Sequence, residues 1–228
     1  MKKPVFYSEL AFPAGISVLA LGTSLMERAD LGISMVVAPA YLIHLKVSQY
    51  LPFYSFGMSE YVFQAFLLLL LSIVMRRFKK GYVFSFATAV LYGFTLDLFI
   101  KLASHIPMDS LPLRIAYYAA GIVICSLGVA LLFNTYLTPE AYELFVKELV
   151  LKTGRSIGLV KTVYDIASCL VGVALSFIFF GFLRFEGVKL GTVLCALVNG
   201  PLIGLMSKLL SKLFSFKDAL PWRSFFSE

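Results

Sequence analysis

Charged residues are scarce in this chain. Asp, Glu, Lys and Arg make up 14% of its 228 residues, where soluble domains carry about 25%. Apolar residues fill 60% against roughly 45–50% in soluble domains, and the mean hydropathy is +0.88. A soluble core of this length has no room for that surplus, so the bulk of the chain is expected to face lipid. Cysteine is scarce as well. Cys125, Cys169 and Cys195 form an odd set inside apolar blocks with no metal-like spacing, which excludes a disulfide framework and leaves them as small packing residues. The two histidines, His44 and His105, lie in separate segments with no cysteine or carboxylate at ligand spacing, which argues against a metal site. A Gly-rich phosphate loop is missing, and no serine sits in a nucleophile elbow. These absences leave no convincing enzyme and call for no cofactor; lipid chemistry inside the membrane is the one enzymatic class left open. The net charge of +7 arises from clusters between the apolar blocks rather than from a basic face on a soluble fold, so a nucleic-acid partner is not expected.

What is there is six apolar blocks. A helix needs about 20 apolar residues to cross a bilayer, and the candidates run over about 8–26, 60–76, 82–103, 114–134, 160–183 and 188–210. Met1-Lys2-Lys3 before the first block mimics a signal peptide. The run ends at Glu27-Arg28 without a small-x-small cleavage site, so it reads as a retained span. With the basic turn Arg76-Arg77-Phe78-Lys79-Lys80 on the cytoplasmic side, Lys2, Lys3, Lys147, Lys152, Arg155, Lys161, Lys208, Lys212, Lys217 and Arg223 fall inside too. Only scattered charges such as Lys46, Lys101, Arg114, Arg184 and Lys189 fall outside. The expectation is a multi-pass protein of a bacterial inner membrane with both termini cytoplasmic.

Two connections are too long to be plain loops. Thr138-Pro139-Glu140 opens a helix, with Thr as cap, Pro at the first position and Glu in the first turn. The following stretch to Leu151 alternates apolar Leu144, Phe145, Leu149 and Val150 with Glu143, Lys147 and Glu148, an amphipathic helix ending near Gly154. It either lies at the interface or dips inward as a broken element. Residues 34–49 form a weaker counterpart, opened by Ser34 and interrupted by Pro39.

The two halves resemble each other. Gly15 and Gly22 of the first span align with Gly121 and Gly128 of the fourth, and Leu25 aligns with Leu131. Ser55-Phe56-Gly57-Met58 parallels Ser156-Ile157-Gly158-Leu159, which sets Glu60 against Lys161 and Gln64 against Asp165. Leu91-Tyr92-Gly93 parallels Val198-Asn199-Gly200. The shared order is the signal, because each match alone is weak. Three spans per unit place the second unit upside down relative to the first. The expected fold is therefore all-α and polytopic, with six transmembrane helices as two inverted three-helix repeats, residues 1–113 and 114–228, plus short amphipathic helices in the long connections.

Several segments resemble a known family. Met26-Glu27-Arg28-Ala29-Asp30-Leu31-Gly32-Ile33-Ser34 is similar to the segment after the first span of YczE/YyaS/YitT-like bacterial membrane proteins. Thr153-Gly154-Arg155-Ser156-Ile157-Gly158-Leu159-Val160-Lys161 with the later Asp165 resembles their T-G-x-x-x-G-x-x-K and acidic residue. Phe94-Thr95-Leu96-Asp97-Leu98 resembles the end of their third span, and Glu186-Gly187-Val188-Lys189-Leu190-Gly191-Thr192 the opening of their sixth. The chain departs from the pattern at Met35-Val36-Val37, where relatives carry Pro and a polar residue. The resemblance implies an integral membrane protein of ill-defined activity, often given a transporter label.

A charge at membrane depth costs several kcal/mol, so each one is a site hypothesis. Lys161 and Asp165 sit one turn apart and share a face. They either line a cavity that takes a cation, a proton or an amine, or they lock helix packing. Glu60 and Gln64 repeat that geometry, unless Glu60 merely lies at the outer interface. Asp97 is a further candidate, with Lys101 at i+4 as the structural reading. Glu27, Arg28 and Asp30 end the first span as a gate or as an interfacial terminus, and Asn134 and Glu140 hold the comparable place in the second half. Asn199-Gly200-Pro201 is read as a break in the sixth span whose carbonyls line a site or kink the helix. The leading expectation is a small transporter or permease that moves a small solute or ion by alternating access, with Asp165, Lys161, Glu60, Gln64, Asp97 and Asn199 on the path. The alternative is an accessory membrane protein that binds a partner through 139–151. A homodimer is compatible with either.

Overall fold

A computed structural model describes residues 3–155, 157–182 and 185–221, without the side chains of Ile157 and Gly158. Lys2, Ser156, Arg184 and Arg223, used above for orientation and for the repeat, lie outside the described residues. The elements run β1 (Val5–Tyr7), α1 (Ser8–Ala29), α2 (Ala38–Val47), α3 (Phe56–Met75), α4 (Lys80–Ala103), α5 (Leu111–Phe133), α6 (Ala141–Thr153), α7 (Ile157–Phe180), α8 (Leu190–Leu213) and β2 (Ser215–Lys217). Six of these helices are long and apolar enough to cross a membrane, and each coincides with one of the six apolar blocks. The chain is a polytopic all-α membrane protein.

Local chemistry sets the ends. The Ser55 hydroxyl accepts from the Met58 N–H at 3.1 Å and opens α3. Asp30 closes α1 in the left-handed region at φ 52°, and Gly154 closes α6 at φ 64°. Pro39 does not interrupt α2. It sits in the first turn, where a missing N–H costs nothing. Pro201 does not break α8 either: the helix runs from Leu190 to Leu213 without interruption. Open space around Gly200 leaves room for the local adjustment that a proline needs in a membrane helix.

α1 and α5 form the centre of the bundle, and α7 and α8 lie at its lipid-facing edge. The central pair is antiparallel and packed through glycine. A Cβ on Gly22 would meet the Cys125 backbone at 2.6 Å and the Gly121 carbonyl at 2.8 Å. One on Gly15 would meet the Gly128 carbonyl at 3.2 Å. Gly15 thus faces Gly128 and Gly22 faces Gly121, so the glycines that align between the halves exchange partners across the contact. Most of the remaining helix packing follows the same exchange, although α4 also packs on α6. α1 packs on α4 as α5 packs on α8, and α3 on α4 as α7 on α8. α2 meets α3 as α6 meets α7, and α2 meets α7 as α6 meets α3.

Both ends of the described chain lie at one face. β1 pairs in parallel with β2, Val5 opposite Ser215. The Glu9 carboxylate accepts from the Ala219 and Leu220 N–H groups and from the Tyr136 hydroxyl. The start, the tail and the α5–α6 connection are clasped together there. Arg76 to Lys80 turn at the same face, whereas Lys46, Lys101, Arg114 and Lys189 sit near helix ends at the other.

Candidate functional site

The short helices α2 and α6 place the site. α6 is not a surface helix: Tyr142, Leu144, Phe145, Val146 and Glu148 are buried. Its first residue donates its N–H to Gln64 Oε1 at 3.0 Å, midway along α3. Its far end reaches the C-terminal end of α3, where the Lys152 ammonium bonds the Val74 carbonyl. Glu148 there takes Lys79 at 2.5 Å and Arg77 at 3.7 Å. α6 therefore runs from the middle of the bundle to one face. α2 does the reverse. It starts against Gly172, well inside α7, and its Lys46 reaches the Phe179 carbonyl near the end of α7 at 3.2 Å. The two helices point their N-termini at each other and their C-termini at opposite faces.

Between those N-termini lies a cavity of about 40 Å³, enough for a few waters. Val36 and Val37 border it from the start of α2, and Glu140, Tyr142 and Glu143 from the start of α6. Thr23, Tyr92, Cys125, Cys195 and Asn199 complete much of the wall from α1, α4, α5 and α8. The Tyr92 hydroxyl donates to Thr23 Oγ1 at 3.0 Å, and Asn199 Oδ1 accepts from Ser126 at 2.9 Å.

The carboxylates behind this wall fall into two groups. In the first, Gln64 Nε2 donates to Glu60 Oε2 at 3.0 Å and to Glu140 Oε2 at 3.2 Å, and the Tyr142 hydroxyl donates to Glu60 Oε2 at 2.8 Å. Glu60 is wholly buried and Glu140 is 4% exposed. One oxygen of each, Oε1, has no hydrogen-bond partner among the described residues. Burial, and then the Glu60 carboxylate, push the Glu140 carboxyl well above the usual carboxylate range. In the second group the Lys161 ammonium lies 3.1 Å from Glu143 Oε1 and 3.2 Å from Asp165 Oδ1. One cation there serves two acids.

The structure thus brings Glu60, Gln64, Lys161, Asp165, Asn199 and Glu140 together around the meeting point of α2 and α6. Asp97 is elsewhere. Its carboxylate takes Ser55 Oγ at 2.5 Å and the Gly57 N–H at 2.8 Å, so it holds the start of α3 and leaves the cavity to others. The expected gate residues do not gather at the cavity either. Arg28 donates to the Ile106 carbonyl at 2.8 Å, and Asp30 pairs with Arg114 at 3.0 Å and Lys189 at 2.5 Å. These bonds fasten the end of α1 to the starts of α5 and α8. Glu27 lies near Tyr41, whose phenol is held above its usual range by burial and then by that carboxylate. Asn134 closes α5, donating to the Ala130 carbonyl at 2.7 Å. Of the five gate candidates only Glu140 lines the cavity. The sequence reading missed Glu143 as the partner of Lys161, and Tyr142 and Thr23 as cavity groups. Glu143 carried a signal, being an acid in the first turn of an inward-dipping helix.

Fold and site together define a class: a polytopic all-α membrane protein whose two short inner helices meet N-terminus to N-terminus over a buried, carboxylate-lined cavity. Residues 6–208 match a family of unknown function, DUF6198, and the chain belongs to that family. No curated protein and no solved structure matches it.

Proposed function

We propose that this protein is a small transporter or permease in which two inverted halves, residues 1–113 and 114–228, alternate access to the cavity between α2 and α6. The observation that carries the reading is the pair of short helices that start at one buried cavity and end at opposite faces. Broken or short helices with N-termini at the bilayer midplane are a common way to build a solute site at a repeat interface. The partner exchange of Gly15, Gly22, Gly121 and Gly128 supports a two-fold axis in the membrane plane. The likeness of several motifs to YczE/YyaS/YitT-like proteins belongs to the same proposal, as does an inner-membrane location with Arg76 to Lys80 and both termini cytoplasmic. The accessory reading is disfavoured, because α6 spends its apolar side on α3, α4 and α7 rather than offering it to a partner.

The test is flux in liposomes that carry the purified protein, with a panel of small ions and solutes. Transport above empty liposomes, lost when Val129→Phe fills the cavity of a still-folded protein, is the expected result. Background flux for the whole panel, with partner capture lost on deleting 139–151, would establish the accessory role instead.

A further inference from the structure

The transport reading leaves the solute open, and the hydrogen bonds around the cavity narrow it. Resting on that reading for its context, we propose that the cavity binds one small monovalent cation, and that the entering cation displaces one proton from Glu140.

Gln64 has two amide hydrogens and spends both. One goes to Glu60 Oε2 at 3.0 Å and the other to Glu140 Oε2 at 3.2 Å, while its Oε1 accepts from the Ala141 N–H at 3.0 Å. The single hydroxyl hydrogen of Tyr142 also goes to Glu60 Oε2, at 2.8 Å. Every donor of this network is then used, and every bond to an acid lands on an Oε2 atom. Oε1 of Glu60 and Oε1 of Glu140 are buried without a partner among the described residues. Two carboxylates in such a site do not both ionise readily. Glu60 accepts two hydrogen bonds and Glu140 one, so Glu60 is the anion and Glu140 holds the proton. Glu140 is also the member of the pair that borders the cavity, with Glu60 behind it. The proton therefore sits on the acid that a ligand in the cavity can reach.

A second acid reaches the same space from a separate network. The Lys161 ammonium lies at Oε1 of Glu143 and at Oδ1 of Asp165, which leaves Glu143 Oε2 buried and unpartnered among the described residues. Glu143 borders the cavity as Glu140 does. With Glu140 neutral, Glu60, Glu143 and Asp165 remain as carboxylates against the one ammonium of Lys161. The helix starts do not offset that surplus. The Ala141 N–H is given to Gln64, the Ala38 N–H to the Ser34 carbonyl, and Pro39 has none. A positive ligand is drawn into this space and an anion is kept out. α1 and the start of α2 present only uncharged side chains to the cavity. The other titratable groups nearby are Tyr92 of α4, Cys125 of α5, Tyr142 of α6, Tyr164 of α7 and Cys195 of α8, all neutral near pH 7. The proton that leaves is thus the one on Glu140. One positive charge enters as another passes to water, so the exchange buries no additional charge.

Size and the available oxygens name the class. The cavity of about 40 Å³ has room for roughly three waters, which admits sodium, potassium or a small ammonium ion and excludes polyamines and amino acids. No group of three or more His, Cys, Asp or Glu among the described residues is placed to hold a metal ion, so a divalent ion, which draws on several carboxylates at once, is not accommodated. A monovalent one is served by Glu140, Glu143 and the neutral oxygens of Thr23, Tyr92 and Asn199 in the wall. Asn199 Oδ1 takes one bond from Ser126 and keeps its second lone pair for the ligand.

The experiment measures binding rather than flux. Purified full-length protein, held in choline chloride, is titrated with sodium, potassium and methylammonium chloride at several pH values. Proton release is followed with an indicator dye in weak buffer. The expected result is about one proton released per cation bound, with affinity rising about tenfold per pH unit while Glu140 is protonated. Glu140→Gln should release no proton and bind sodium equally at every pH. Glu143→Gln should weaken binding and keep the proton count. If neither variant folds, the proton count of the wild type decides alone. Cation binding without proton release, tighter binding of calcium than of any monovalent ion, or no cation binding at any pH overturns the proposal. One-for-one exchange without flux in liposomes removes the transport reading and upholds this one. Flux of a solute without cation binding does the opposite.

Discussion

At the scale of the residue, the sharpest feature is an imbalance of charge. Lys161 is the shared cation of Glu143 and Asp165, and all three side chains are nearly buried, with 10–15% exposure. Breaking a buried ion pair by removing one partner costs about 3–5 kcal/mol, because the remaining charge has nowhere to go. Lys161→Met should therefore lower the apparent Tm sharply, and Asp165→Asn in the same background should restore part of the loss; a Tm unchanged in the single variant would show that the pair is not buried. Glu140 gives a pH prediction of definite sign. Its native carboxyl binds its proton well above the ordinary value of 4.5. Above that ordinary value the unfolded chain has released the proton while the native protein keeps it. The native state then holds more protons, so stability falls as pH rises through this window. Thermal unfolding should show a Tm that falls as the pH rises above about 5, and falls less in Glu140→Gln. Glycine gives a third residue-scale test. Gly22→Ala puts a methyl 2.6 Å from the Cys125 backbone, an overpacking that typically costs about 1–3 kcal/mol. Gly200→Ala, which meets nothing within 4 Å, should leave the Tm unchanged or slightly raised.

At the scale of the element, α2 and α6 decide what this molecule is, and they were only half legible in the sequence. The six long helices announce themselves because hydropathy over about 20 residues is a local property. The start of α6 was equally local, since Thr138-Pro139-Glu140 carries its own helix signal. Its depth was not. Glu143, Lys147 and Glu148 look like the wet face of an interfacial helix, yet Glu143 is matched by Lys161 and Glu148 by Lys79, the second from 69 positions away. A neighbour in sequence misled the reading of Asp97 in the same way. Lys101 stood one turn off, while the real partners, Ser55 and Gly57, lie 42 and 40 positions away. The aligned pairs Glu60/Lys161 and Gln64/Asp165 lie in the N-terminal halves of α3 and α7, where those helices pack against α6. An element-scale prediction follows from Glu148. It is 4% exposed and held by Lys79 and Arg77, which fasten the C-terminal end of α6 to the α3–α4 turn. Lys79→Gln with Arg77→Gln strands a buried carboxylate there. Hydrogen exchange across 141–153 should speed up markedly while exchange in α1 and α5 stays at the wild-type rate. Unchanged exchange in α6 would mean that its packing on α3 and α7 alone secures it.

At the scale of the whole molecule, the two-fold exchange fixes how the halves must sit in a bilayer. α1 and α5 are antiparallel, and each aligned glycine faces the other half's counterpart of its neighbour. Only an axis across the helices, in the plane of the membrane, produces that exchange between antiparallel partners. Such an axis sends the far ends of α2 and α6 to opposite sides. The loop after α2 carries Tyr50, 73% exposed, and the loop after α6 carries exposed Arg155. Cysteine introduced as Tyr50→Cys should react with a membrane-impermeant maleimide from outside the cell, and Arg155→Cys only after the membrane is opened. The native thiols do not blur the result, since Cys125 and Cys195 are buried and Cys169 sits within the apolar span of α7. Labelling of both positions from the same side would place α2 and α6 in one leaflet and dissolve the cavity's claim to communicate with two compartments. Labelling from opposite sides would agree with an axis in the membrane plane, and with the proposal of alternating access, in which the contact between α1 and α5, where the glycines interlock, would serve as the hinge.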